Sequence, residues 1–123
     1  MTTIVIIEDD QVISQMYRMK FESDGFEVHV ASDGRSGIEL VHKTAPSLIL
    51  LDMQMPGMNG DEALAEIRKH DWGTMVPVIV LTNMGEEEAP KHLRSLGIES
   101  YIVKADLTPR QVVDRVKATL KLA

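Results

Sequence analysis

SLILLDMQMPGMNG, residues 47–60, is the stretch from which the fold is read. Residues 48–51 form an unbroken apolar run, which in a chain of this size suits a strand buried on both faces. Asp52 ends that run. A carboxylate there has left the sheet interior but still sits at the rim of the core, where a charge needs a partner. Pro56 removes an N–H and Gly57 and Gly60 relax φ, so regular structure stops. Asp52 therefore opens a loop at a strand's carboxyl end, the edge at which open α/β sheets bind ligands. Taken alone, such an Asp reads as a turn cap. Its neighbours in space decide otherwise.

Working outward, residues 4–7 are a β-branched strand closed by Glu8, Asp9 and Asp10. Val12, Ile13, Met16, Met19 and Lys20 continue at helical spacing to Gly25, with Asp10 as N-cap and Met16 and Met19 expected as gap-filling core. Phe26, Val28 and Val30 alternate with Glu27 and His29, as a half-exposed edge strand would. Asp33 caps a helix carrying Ile38, Leu40 and Val41, which ends before Pro46. Ala63, Leu64 and Ile67 mark a third helix ending near His70. Trp72, the single tryptophan, is expected to cover the lower edge of the core. Residues 76–81 form a fourth strand, with Thr82 and Met84 following. An irregular loop to Ala89 and a short helix from Pro90 to Leu96 come next. Residues 100–103 are the fifth strand, and Lys104 leaves it. Thr108, Pro109 and Gln111 are N-cap, N1 and N3 of a last helix that buries Val112, Val113, Val116 and Leu120.

Five alternations of strand and helix demand a mostly parallel sheet covered on both faces. The expected fold class is α/β, a doubly wound five-stranded parallel sheet of order 2-1-3-4-5, whose switch point brings Glu8, Asp9 and Asp52 into one crevice. The 123 residues are expected to form one domain, 1–123. A formal charge of −6 argues against direct nucleic-acid binding, which needs clustered Lys and Arg. The absence of cysteine excludes disulfides and thiolate metal sites. The short apolar run at the start suits neither a signal peptide nor a membrane span, so a cytoplasmic location is expected.

Asp9, Asp52, Thr82 and Lys104 each follow a different strand, and parallel strands send all four to one edge. Crowded carboxylates repel unless a cation neutralises them, and oxygen donors without Cys or His suit Mg²⁺ or Mn²⁺. Lys104 adds a cation and Thr82 a hydroxyl. This is the equipment of phosphoryl transfer, which works by positioning and charge neutralisation, with Asp52 as the nucleophile.

These residues, the pair Glu8-Asp9 after IVII, Asp52 within LILLDMQMPGMNG, Thr82 within VIVLT and Lys104 within YIVK, resemble a response-regulator receiver domain of two-component signalling, of the single-domain chemotaxis type. The likeness runs nearly end to end and implies the flavodoxin-like (βα)5 fold. It implies that Asp52 accepts a phosphoryl group from a phosphohistidine on a histidine kinase or phosphotransfer protein. It also implies that Mg²⁺ is held by Asp9, Asp52 and the backbone carbonyl of Gln54, with Glu8 contributing through water. Lys104 and Thr82 would bind phosphoryl oxygens, and Tyr101 would change rotamer as Thr82 moves. Gln54 and Met84 would flank water's path and tune the phosphoryl lifetime. The output would be a switched face of the fourth helix, fifth strand and fifth helix that binds a downstream protein. The chemistry is then self-phosphorylation and slow dephosphorylation rather than conventional enzyme turnover. A monomer is expected, with a phosphorylation-linked dimer as the variant, and with no residues after Ala123 to act as an effector.

Two positions depart from the family pattern: Ala105 stands where a Pro often follows the lysine, with a trans bond expected, and Pro90 follows three Glu residues. The alternative reading is a receiver-like interaction module that phosphorylation does not regulate. A phosphohydrolase would want a second Asp at position 54, where Gln stands, and a nucleotide site would want a Gly-rich loop after the first strand. His29, His42, His70 and His92 lack ligand spacing and are expected at the surface. Met53, Met55 and Met58 are expected to be partly exposed beside the site.

Overall fold

The computed structural model describes residues 1–122; residue 123 of the expected domain lies outside them. Strands β1 (Thr3–Ile7), β2 (Glu27–Ala31), β3 (Leu48–Leu51), β4 (Val78–Thr82) and β5 (Ser100–Val103) form one sheet in the order β2-β1-β3-β4-β5. Every neighbouring pair is parallel, with Ile7 opposite Leu51 and Thr82 opposite Val103. The helices are α1 (Gln11–Ser23), α2 (Gly34–Thr44), α3 (Gly60–Arg68) and α4 (Pro109–Thr119). Among the described residues, no helix is long and apolar enough to cross a membrane.

The period-2 geometry of the strands divides the core in two. Ile4, Ile6, Leu48, Leu50, Ile79 and Leu81 face Tyr17 and Phe21 of α1 and Val112, Val113 and Val116 of α4. Val5, Ile7, Ile49, Leu51, Val78 and Val80 face Val41, Leu64, Ile67 and Leu93 on the other side. The predicted caps form. Ile13 N–H donates to Asp10 Oδ1 at 3.0 Å, Ser36 N–H to Asp33 Oδ1 at 2.8 Å, and Thr108 and Gln111 close a reciprocal capping box. β4 begins at Val78 rather than Val76, because Pro77 has no N–H for the ladder.

Two expectations are corrected. Met16 and Met19 are not core: with Val12 they are exposed, at 42%, 69% and 81%. α1 turns its Ile13, Tyr17, Phe21 stripe inward instead, and the two aromatic rings bury more apolar area than the thioethers would. Met53 and Met55 are buried, not partly exposed, because the loop after β3 folds its methionines back into the second core layer. The short helix expected from Pro90 to Leu96 forms as a 3₁₀ segment, Lys91–Leu96, and the loop expected before it carries a second 3₁₀ segment, Glu86–Glu88. Ala89, which precedes Pro90, is extended (ψ 148°), as the restriction on a residue preceding proline requires, and Pro90 itself is extended too (ψ 137°).

His42 and His70 are exposed as expected, but they have a partner. Both rings stack on Trp72, with centroids 4.5 and 4.7 Å from it and planes 9° apart.

Candidate functional site

β1, β3, β4 and β5 end together at the carboxyl edge, and the ladder continues one residue past two of them. Glu8 N–H donates to the Ala31 carbonyl and Asp52 N–H to the Ile7 carbonyl, each at 3.0 Å. That fixes both backbones before their side chains leave the sheet. Glu8, Asp9 and Asp52 each offer a carboxylate oxygen within 4.8 Å of the others. Glu8 and Asp52 are 5% and 6% exposed, whereas Asp9 is open to solvent.

Lys104 reaches this cluster from the 3₁₀ turn that follows β5. Its ammonium pairs with Glu8 Oε1 and lies 3.6 Å from Asp52 Oδ2. Sequence spacing brought lysine to the right edge, but it did not reveal that Glu8, 96 positions away, is the nearer partner. Glu8 Oε2 also accepts the Asp10 N–H at 3.0 Å, and Asp52 Oδ1 accepts the Gln54 N–H at 3.2 Å. Burial pushes the Glu8 carboxyl up to about 7, and the Asp52 charge adds to the rise, while Lys104 and the Asp10 amide restrain it. Burial works against the Lys104 ammonium, but the Glu8 and Asp52 carboxylates outweigh it and hold its pKa above the ordinary lysine value.

Thr82 is fully buried at the end of β4, and its hydroxyl oxygen accepts the Met84 N–H at 3.3 Å. Tyr101 is half-buried on β5. Its hydroxyl donates to the Met84 carbonyl at 2.9 Å, with the Gly85 carbonyl at 3.4 Å. Threonine and tyrosine therefore grip the same short loop from opposite ends. Gln54 and Met84 line a cleft of about 480 Å³ beside the cluster, together with Asp9, Asn59 and Asp61. The Lys104–Ala105 bond is trans.

The loop after Asp52 is held by a contact that sequence reading missed. Gly60, the first residue of α3, packs so closely that a Cβ there would lie 2.2 Å from the Asp52 carbonyl oxygen. The signal was present in the PGMNG run, but it read only as a turn. A second missed tie is His92 Nε2, 3.1 Å from Asp61 Oδ2, which joins the second 3₁₀ segment to the start of α3.

The donor set fits a hard divalent cation. Three carboxylates converge, one cation backs them, and no sulfur or imidazole donor intrudes.

Residues 4–117 match the family described as the response regulator receiver domain. The transcriptional regulatory protein SrrA of Staphylococcus aureus is 37% identical over 118 residues, which are 96% of this chain. The chain spans about half, 47%, of that relative's length. Among solved structures, the chemotaxis protein CheY4 of Vibrio cholerae superposes with a TM-score of 0.88 at 24% identity, covering 96% of this chain and 98% of its own. The receiver domain of the sensor histidine kinase PA1611 of Pseudomonas aeruginosa, solved with a magnesium ion in its active-site cleft, has a TM-score of 0.85 at 23% identity, with 95% of each chain covered.

Proposed function

This chain belongs to the response regulator receiver domain family of two-component signalling, and on that premise we propose that Asp52 is its phosphoacceptor. One observation carries the reading: the Asp52 carboxylate is buried between the acids Glu8 and Asp9 and the Lys104 ammonium, which lies 3.6 Å away. Asp52 Oδ attacks the phosphorus of a phosphohistidine on a histidine kinase or phosphotransfer protein. The P–N bond breaks, the imidazole leaves, and an aspartyl phosphate forms. Lys104 and the Thr82 hydroxyl then contact the phosphoryl oxygens.

Asp9, Asp52 and the Gln54 backbone carbonyl would hold Mg²⁺ or Mn²⁺, with Glu8 reaching it through water; when bound, the ion neutralises charge on the phosphoryl oxygens. The Thr82 hydroxyl accepts the Met84 amide and has its own proton free to donate, so its movement toward a phosphoryl oxygen pulls on the Met84 loop. That pull shifts the loop whose carbonyls hold Tyr101 and changes the face formed by the 3₁₀ segments, β5 and α4, to which a downstream protein binds. Gln54 and Met84, at the cleft, set how readily water reaches the aspartyl phosphate.

Incubation with acetyl phosphate or phosphoramidate, with and without Mg²⁺, tests this by intact mass. The expected result is a metal-dependent phosphoryl adduct that Asp52→Asn abolishes. No adduct on a folded protein that still binds Mg²⁺ would overturn the reading in favour of an unphosphorylated interaction module.

A further inference from the structure

Beneath the acid cluster lies a cavity of about 10 Å³, bounded by Ile6, Ile7, Leu50 and Leu81 and by three polar side chains, Glu8, Asp52 and Tyr17. That volume is roughly one water molecule's probe sphere. Tyr17 comes from the inner face of α1, is 3% exposed, and packs its ring in the first core layer. Among the described residues its hydroxyl has no protein hydrogen-bond partner, and burial holds its pKa above the ordinary tyrosine value. Every fully buried side-chain oxygen or nitrogen among those residues does have a partner. The Tyr17 oxygen therefore keeps part of the residue's small exposure, and the residue shares the lining of this cavity with Glu8 and Asp52.

The need for a hydroxyl there follows from how Lys104 is shared. In the resting arrangement Lys104 pairs with Glu8 and stands farther from Asp52. A phosphoryl group on Asp52 adds charge that draws the ammonium toward it. Glu8, almost wholly buried, then keeps the Asp10 N–H as its one protein donor, beside the water through which it would reach the metal on its solvent side. A buried carboxylate that loses a charged partner is costly unless another donor takes over.

Resting on the phosphoacceptor reading of Asp52, we propose that Tyr17 is a positioning residue of the phosphoryl-transfer site. Its hydroxyl donates to the Glu8 carboxylate through one water in the cavity that both line, so that Lys104 can move from Glu8 to the phosphoryl oxygens. Tyr17 does not touch the reacting atoms; it acts through Glu8. The same position filled by an apolar ring would pack equally well and leave Glu8 to hold the lysine.

The test compares Tyr17→Phe, which removes only the hydroxyl, with Tyr17→Leu, which also removes the ring. Self-phosphorylation is followed by intact mass against acetyl phosphate concentration at saturating Mg²⁺, to separate the limiting rate from the half-saturating concentration. Thermal unfolding of the metal-free proteins is measured alongside. Tyr17→Phe is expected to lower the limiting rate about tenfold, the effect of losing one hydrogen bond to a charged group, with the half-saturating concentration and melting temperature unchanged. In a Glu8→Gln background the same substitution should have no further effect. A Tyr17→Phe protein phosphorylated at the wild-type rate overturns the proposal. So does a rate loss that persists in the Glu8→Gln background, or one accompanied by a fall in melting temperature like that of Tyr17→Leu. Wild-type protein that forms no adduct overturns the phosphoacceptor reading itself, a result distinct from a phosphorylated wild type with an equally active Phe variant.

Discussion

Gly60 shows how a residue with no side chain can govern a reactive one. A methyl group at this position would press on the Asp52 carbonyl oxygen and, at 2.9 Å, on the Met53 Cα, both of them backbone and unable to rotate away. Gly60→Ala is therefore expected to destabilise the fold by about 1–3 kcal/mol, the usual cost of overpacking. It should also slow phosphorylation of Asp52, because α3 can relieve the clash only by shifting the Asp52 peptide. Urea denaturation and the adduct assay measure the two effects. Glu8, Asp9, Asp52, Thr82 and Lys104 could all be placed in the sequence because each ends a strand. What could not be read were relations across the chain: the Glu8–Lys104 pair, the His92–Asp61 contact and the inward turn of Tyr17. These depend on side-chain reach and helix rotation, which linear spacing does not encode.

At the scale of elements, the two 3₁₀ segments between β4 and β5 are what remains of a helix that Pro90 interrupts. Proline lacks the N–H that a continuous helix would need there, and it keeps Ala89 extended. Pro90→Ala is expected to let α-helix spread through residues 86–96, seen as a gain in ellipticity at 222 nm and as helical carbon shifts in that segment; unchanged shifts would show that other contacts hold the break. The tie between α1 and α4 carries a pH dependence. Arg110 reaches both Asp24 oxygens at 3.3 Å, and Lys117 pairs with the same carboxyl. Arg110 first and Lys117 second pull the Asp24 carboxyl down from 3.8 to about 2. Since the folded value lies below the unfolded one, the stabilisation is present above the ordinary carboxylate range and is lost as pH falls from about 4 toward 2. Asp24→Asn should remove that portion of the acid dependence, as read from melting temperatures across the interval. α1 also explains where the sequence misled: two stripes at helical period compete, and the aromatic one wins the core.

At the scale of the molecule, parallel order 2-1-3-4-5 was legible because short alternating elements leave few right-handed, uncrossed ways to build a sheet. The strands' apolar runs also matched a two-sided core. The fourth crossover was less so, since a six-residue segment such as Lys91–Leu96 is too short for periodicity to distinguish an α-helix from 3₁₀ turns.

The molecule also has two poles. Asp52 lies at the carboxyl edge of the sheet, while Trp72 precedes β4 at the amino edge and stacks with the His42 and His70 rings. For a fluorimeter, the sole indole is then an observer stationed at the wrong end of the molecule. Its emission should shift when the chain unfolds and hold steady when Mg²⁺ or a phosphodonor is added.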